Sequence, residues 1–341
     1  MEPLNSVRKL AWLAGTTPKR LREICKDLDR DKTSHYRFFS EPDKHKPQVL
    51  RQFRAPTDEL KAIQRNLMRN VFGLVPAHES AHGGIKNRSP WSNANQHLAQ
   101  PWLINLDVPK FFPSVRHYVL ADTIRRYLRC GREVTWMLTR LITLEAQLPQ
   151  GAPTSTAAAN FLLKHAVDEV ISEKARQIGA VNTRFVDDVS LSGTEPRTLI
   201  NVTARALSRC RLSIHRPSAK NRTNPKFRIT PNSHRQIVTG LMVNSKSGPS
   251  VPKSYRDTVR ATIHALPSLS GAELATSLAS IHGKIQYVRR TNPGSADRLQ
   301  RYLDTVLPLH GRASAKRHPK RAEIGDLPAS KLDPNWTPEA C

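Results

Sequence analysis

An α+β fold built around a β-α-β-β-α-β core is predicted by three stretches of the chain. In residues 181–191 apolar and polar residues alternate up to Phe185 and again from Val189, which makes two short strands with Asp187 and Asp188 at or beside the turn. Trp102-Leu103-Ile104-Asn105-Leu106-Asp107-Val108 is an apolar run of strand length with an acid at its end. Helical patterns at 157 to about 175 and at 198–211 separate these strands from each other and from a further strand beginning at Leu212-Ser213-Ile214. In that arrangement acids from separate strands converge on one face of a sheet. Two adjacent carboxylates repel, and a pair of divalent cations would offset that repulsion. Alone, an Asp-Asp pair is equally a solvated turn. With Asp107 as a third ligand, the set could hold two Mg²⁺ ions about 3.5–4 Å apart, the arrangement that serves in-line nucleotidyl transfer.

Taken in order, residues 1–40 read as charged helix, with Leu10, Leu13, Leu21, Ile24 and Leu28 as an interrupted apolar stripe and Thr16-Thr17-Pro18 as a helix start. A polar turn is expected at 41–47. Arg51-Gln52-Phe53-Arg54-Ala55-Pro56 precedes an amphipathic helix from Thr57, apolar through Leu60, Ile63, Leu67, Val71 and Leu74 and basic through Lys61, Arg65 and Arg69. Ala81-His82-Gly83-Gly84-Ile85-Lys86-Asn87-Arg88-Ser89 is a glycine-bearing basic loop, and Asn93-Ala94-Asn95-Gln96-His97 lies just ahead of the Asp107 strand. Residues 116–146 read as helices. In Leu148-Pro149-Gln150-Gly151-Ala152-Pro153-Thr154-Ser155, Thr154 or Ser155 can cap the helix that follows. The small residues at 157–160 allow close approach of a nucleotide or of another helix. Ile237-Val238-Thr239-Gly240-Leu241-Met242-Val243-Asn244 reads as an apolar strand with Gly240 at a bend. Leu274, Leu278, Ile281, Ile285 and Val288 recur at helical spacing beside Lys284, Arg289 and Arg290. From Gly311 the chain turns basic, then Pro-rich, and a partly disordered tail is expected.

The charge balance restricts the partner. With 54 Lys and Arg against 28 Asp and Glu, the 341-residue chain carries a formal charge of +26. A polyanion is the expected partner. Anionic membrane is disfavoured because no basic amphipathic helix with a broad insertable face is present, nor an apolar run of spanning length. Residues 201–260 hold thirteen Lys or Arg and one acid, Asp257, and make the expected duplex-contacting surface. Cys25, Cys130, Cys210 and Cys341 lack metal-ligand spacing and are expected to be reduced thiols; together with the absence of a signal peptide in residues 1–13, this points to the cytoplasm.

Leu-Asp-x-x-x-Phe-Phe from Leu106, Pro-Gln-Gly-x-Pro-Thr-Ser from Pro149 and Phe-Val-Asp-Asp from Phe185 resemble, in order and spacing, the motifs of reverse transcriptases. The resemblance covers roughly residues 36–292. It implies a right-hand polymerase: an N-terminal helical extension at 1–40, fingers at 41–105, a ferredoxin-like palm at 106–248 with fingers-contributed helices at 116–146, a helical thumb at 249–310 and a flexible tail at 311–341. It also implies Asp107, Asp187 and Asp188 as catalytic metal ligands. Arg51 and Arg88 would bind the incoming nucleotide, Arg51 through its triphosphate, where a guanidinium fork suits phosphate. Phe112 would lie under the sugar and exclude a 2′-hydroxyl, Gln150 and Gly151 would touch the nucleotide, and Lys220 would stand near the pyrophosphate as a proton donor.

Asn93-Ala94-x-x-His97 and Val238-Thr239-Gly240 resemble marks of one branch, the bacterial retron enzymes. That branch implies Asn93, His97, Val238, Thr239 and Gly240 as contacts to a cognate structured noncoding RNA serving as template and primer. Lys284, Arg289 and Arg290 fit a helical thumb gripping the RNA–DNA hybrid by its backbone, and a helical cap on the palm fits nearly as well. The implied reaction consumes dNTPs, starts from an internal RNA 2′-hydroxyl and yields multicopy single-stranded DNA, in anti-phage defence with an effector protein. Phe185 stands where Tyr is usual, Thr156 where Pro is frequent and Gly84 where Phe is frequent. The competing readings are another bacterial reverse transcriptase, group II intron-like or a stand-alone defence polymerase, and a non-catalytic RNA-binding scaffold.

Overall fold

The computed structural model describes residues 3–31, 33–42, 48, 50–215 and 226–314. The chain divides into two compact units, Met1–Arg88 with Pro101–Thr230, and Ser89–Gln100 with Pro231–Cys341.

In the first unit the helices Val7–Ala14 and Pro18–Arg30 begin at the caps their sequence provides: Ser6 accepts from the Lys9 amide, Thr17 from the Arg20 amide, and Pro18 opens the second helix. Leu10, Leu21 and Ile24 are fully buried and join the same core as Ile104, Leu106 and Val189, so these helices are part of the unit's interior. They pack with Asp58–Asn70 and Arg132–Ile142. Strands β1 (Tyr36–Pro42) and β2 (Leu50–Pro56) form an antiparallel ribbon in which Phe39 stacks on Phe53.

The central sheet comprises β3 (Trp102–Asp107), β4 (Val181–Phe185), β5 (Asp188–Gly193) and β6 (Phe227–Pro231), in the order β4-β5-β3-β6. With the helical segments at 155–177 and Thr198–Arg209 between strands, this is the expected β-α-β-β-α-β topology. The fourth strand is not where the sequence placed it. Leu212 and Ile214 are buried, as their alternation requires, yet among the described residues the segment joins the sheet through one bond, the His215 amide donating to the Asp107 carbonyl (2.9 Å). The helical segment is likewise interrupted: Ser155–Leu163 and Glu169–Gln177 flank a π-helical turn at Lys164–Asp168. Neither Thr154 nor Ser155 caps it; the Ser155 hydroxyl donates to the Pro149 carbonyl instead (2.6 Å).

In the second unit Ser89 and Ser92 form a capping box on the short helix Pro90–Ala94. Residues 237–242 are a tight hairpin of β7 (Ile237–Val238) and β8 (Leu241–Met242), not one strand with a bend. Its two-residue turn, Thr239 (φ 45°) and Gly240 (φ 80°), has the left-handed conformation such hairpins need. The Thr239 hydroxyl donates to the Pro90 carbonyl (2.9 Å) and the Ala99 amide to the Val243 carbonyl (2.7 Å), tying the 89–100 segment to the hairpin. Helices Lys253–His264, Gly271–Thr291 and Pro293–Ser314 complete this unit around Val259, Ile263, Ile281, Ile285, Val288 and Leu303. The last of them runs through Gly311, where a tail was expected; residues 315–341 lie outside the described part. Among the described residues no helix is long and apolar enough to cross a membrane.

Candidate active site

Sheet register brings the acids together. Asp107 closes β3, Asp188 opens β5, and the two are direct cross-strand partners, with Asp187 in the turn one residue before. Opposed pairs on neighbouring antiparallel strands hold their Cβ atoms about 4.5–5.5 Å apart, so like charges there destabilise. Two side chains of the protein face Asp107. The Lys226 ammonium donates to both carboxylate oxygens at 3.0 Å, and His215 Nε2 lies 3.3 Å from Oδ2. Asp188 is open to solvent on one side but densely surrounded on the others. That desolvation, then the charges of Asp187 and Asp107, push its pKa up to about 7, while Lys226 pulls the other way.

The turn carrying the acids rests on a buried polar network. Arg184, the second-last residue of β4, is 2 % exposed. Its guanidinium donates from Nε and Nη2 to the two oxygens of Asp168 (2.8 and 2.7 Å), and from Nη1 to Asn160 Oδ1 (2.9 Å) and to the Val186 carbonyl (2.8 Å). Val186 has φ 59°, a left-handed conformation that a β-branched residue rarely adopts. The guanidinium clamps the carbonyl of this strained residue, directly ahead of Asp187. Asn160 in turn donates to the Gly83 carbonyl (2.9 Å). The π-helical turn ends at Asp168 and sets it beneath the strand.

The 78–88 loop lies along β4, with the Arg184 amide donating to the Ser80 carbonyl and the His82 amide to the Arg184 carbonyl (both 2.7 Å). A Cβ built on Gly83 would sit 2.4 Å from the Val186 nitrogen and 2.9 Å from the Phe185 carbonyl carbon. Backbone cannot yield to such contacts cheaply. A Gly83→Ala variant is therefore expected to displace the acidic turn and lower polymerisation at least tenfold, measured as primer extension at saturating dNTP.

The other expected site residues fall into three groups. Gln150 accepts from the Arg54 amide (2.9 Å) and Gly151 (φ 110°) is exposed, both against β2; Phe111 is core while its neighbour Phe112 is half-buried (ring centroids 5.3 Å apart). Arg51 lies in β2, in register with Glu41. Arg88, expected at the nucleotide, folds back instead: its Nη1 donates to the carbonyls of His78, Glu79 and Ala81 and staples the loop. Asn93, His97 and Val238, expected to meet RNA, are all 1 % exposed or less inside the second unit, so they shape it from within. Thr239 and Gly240 are half-buried at the hairpin turn. Arg289 pairs with Asp297 (2.7 Å), Arg290 stacks over the Trp91 ring (5.3 Å) and Lys284 is half-buried. Lys220 lies outside the described residues. Sequence reasoning missed Lys226, His215, Arg184, Asp168 and Asn160. Only Arg184 carried a signal, its position on the strand face opposite Thr183 and Phe185.

The family model described as reverse transcriptase (RNA-dependent DNA polymerase) matches residues 42–216. The retron Mx162 reverse transcriptase of Myxococcus xanthus is 30 % identical, with 92 % of this chain and 68 % of that protein covered. The retron Mx65 enzyme of the same organism is 29 % identical (86 % and 70 % covered), and the retron Ec86 reverse transcriptase of Escherichia coli 26 % (81 % and 83 %). With the β4-β5-β3-β6 sheet and its converging acids, these matches indicate a right-hand polymerase fold. The chain belongs to the reverse transcriptase family and, within it, to the retron reverse transcriptases, and it is an RNA-directed DNA polymerase.

Proposed function

We propose that this enzyme copies part of its own structured noncoding RNA into multicopy single-stranded DNA, starting from an internal 2′-hydroxyl of that RNA, and that the product serves anti-phage defence with an effector protein. The observation that carries the catalytic part is the cross-strand pairing of Asp107 with Asp188, Asp187 adjacent.

Asp107, Asp187 and Asp188 would hold two Mg²⁺ ions. The crowding of the three acids and the raised pKa of Asp188 fit a site built for cations, and Lys226 already sits bidentate on Asp107 as one. Among the described residues no three His, Cys, Asp or Glu side chains stand ready-grouped around one ion, and Asp107, held by Lys226, would exchange it for the metal. Ions held there would lower the pKa of the primer's attacking hydroxyl and offset the charge of the leaving pyrophosphate. The protein's part is to fix the acids. Arg184 clamps the turn from below, and Asn160 ties the clamp to Gly83. Phe112 would pack under the sugar and reject a 2′-hydroxyl. A Phe112→Ala variant is expected to incorporate ribonucleotides about tenfold or more readily relative to dNTPs, checked by single-nucleotide extension.

Purification of the protein from its host with its nucleic acid tests the copying reaction. Branched RNA–DNA that separates only after debranching is the expected result. Unlinked cDNA would instead favour a stand-alone polymerase.

A further inference from the structure

The first unit holds a second concave site, built by other residues than the acidic turn. A cavity of about 390 Å³ opens between the helices Pro18–Arg30, His117–Tyr127 and Arg132–Ile142, a volume within the range of small-ligand sites. One wall is Trp136, which leaves 44 % of its surface exposed. It sits on the exposed edge of a helix whose other face, through Val134, Met137, Leu138, Leu141 and Ile142, is buried in the core. Arg125 and Arg132 line the same cavity, and Arg140 lines it while paired with Asp29. Asp122 adds an acceptor. Thr135 and Thr139 also line the cavity and are more than nine-tenths buried; their hydroxyls and Nε of Arg140 are turned away from solvent and have no hydrogen-bond partner. A χ1 rotation swaps a threonine methyl and hydroxyl, so these groups can turn to a ligand.

An aromatic face, nearby cations and a few donors and acceptors are what one nucleotide requires: a base to stack, a phosphate to neutralise and a base edge to read. An aliphatic or purely anionic ligand would leave either the ring or the acids unused. The surface continues in the same chemistry. A second cleft shares Asp122 with the cavity and is lined by Tyr118, Arg126, Tyr127, Arg209 and Arg211; both tyrosines are exposed. Rings beside arginines suit a single strand; Tyr118 is the ring open to it, since His165 stacks on one face of Tyr127 (3.7 Å).

We propose that the Trp136 cavity binds one unpaired nucleotide, stacked on the indole, with its phosphate on Arg125 or Arg132. This rests on the reading of the chain as an enzyme that holds a structured RNA, and adds to it a contact point on the first unit built by residues outside the acidic turn.

The test uses the full chain already loaded with an RNA–DNA primer–template. Ribo-oligonucleotide 12-mers of each base and the four ribonucleoside monophosphates are then titrated against wild type, Trp136→Ala, Trp136→Phe and Thr139→Val. Loss of about tenfold in 12-mer affinity in Trp136→Ala, with recovery in Trp136→Phe, is expected. Primer extension on the loaded template should stay within twofold in all four proteins. Monophosphate binding that Trp136→Ala abolishes would assign the cavity to a free nucleotide; 12-mer binding without it assigns the cavity to a strand. Unchanged binding of both in Trp136→Ala overturns the proposal while leaving the polymerase reading intact. Failure of the wild type to extend the primer would instead count against that reading.

Discussion

Asp188→Asn is expected to abolish RNA-directed DNA synthesis, by about 10³-fold or more, while making the metal-free protein more stable. The two effects share one cause. Asp188 faces Asp107 across the strands and follows Asp187 directly, so the folded chain gathers negative charge that the unfolded chain spreads apart. Above about pH 7, where Asp188 is ionised in the folded chain, an amide of the same shape removes one of those charges and adds a donor toward Asp107. A rise of roughly 2–4 °C in melting temperature in EDTA corresponds to about 1 kcal/mol for a unit of this size. In the proposed two-metal site the same substitution removes a carboxylate on which the cations and the attacking hydroxyl would depend. Calorimetry in EDTA and in Mg²⁺ separates the two: Mg²⁺ should raise the melting temperature of the wild type and do so much less for the variant. A destabilised Asp188→Asn protein would show that the acids are satisfied as they stand. Active sites commonly hold such opposed charges at the expense of stability.

Arg184→Met is expected to be the most damaging single change to the fold near the site. Arg184 and Asp168 have side chains 3 % and 2 % exposed, and removing one partner leaves a buried carboxylate without its counter-charge. Such breaks cost about 3–5 kcal/mol, or on the order of 10 °C here. Pairing the change with Asp168→Leu removes the stranded charge and should recover most of the melting temperature, because a buried ion pair contributes little net stability against apolar residues of similar volume. Activity should not recover. The Val186 carbonyl loses its donor in both variants, and that bond holds the strained residue ahead of Asp187. Arg184→Lys should fall between them: it keeps the charge but cannot make the bidentate contact and reach Asn160 and Val186 together. If the double variant polymerised normally, the clamp would be a packing device only.

The acids were legible because their signals are local. Alternation at Val181, Thr183 and Phe185, then Val189 and Leu191, permits a hairpin with its turn at 186–187, and the apolar run before Asp107 permits one strand. The clamp was not legible. Asp168 precedes Arg184 by sixteen residues in a helix whose π-helical turn shifts the phase of every later side chain, so periodicity could not say that it points inward. The fourth strand was misplaced because burial and pairing separate there: Leu212 and Ile214 are buried without a ladder, while β6 pairs with only half-buried Phe227 and Ile229. The Thr239-Gly240 turn was missed for a chemical reason. A β-branched residue is unexpected at φ > 0, and Asn-Gly or Asp-Gly is the usual mark. Arg88, expected at the nucleotide from the family resemblance, has its Nη1 donating to three carbonyls of its own loop, partners that no local sequence pattern announces.

The most direct test of the three-carboxylate site is electron paramagnetic resonance of Mn²⁺ bound to the enzyme with a chain-terminated primer–template and a matched dNTP. Two ions per chain, reduced in Asp107→Asn, Asp187→Asn and Asp188→Asn alike, is the expected count. Equal Mn²⁺ occupancy in the wild type and all three variants would contradict it, because the metals would then be held somewhere other than the meeting point of β3 and β5.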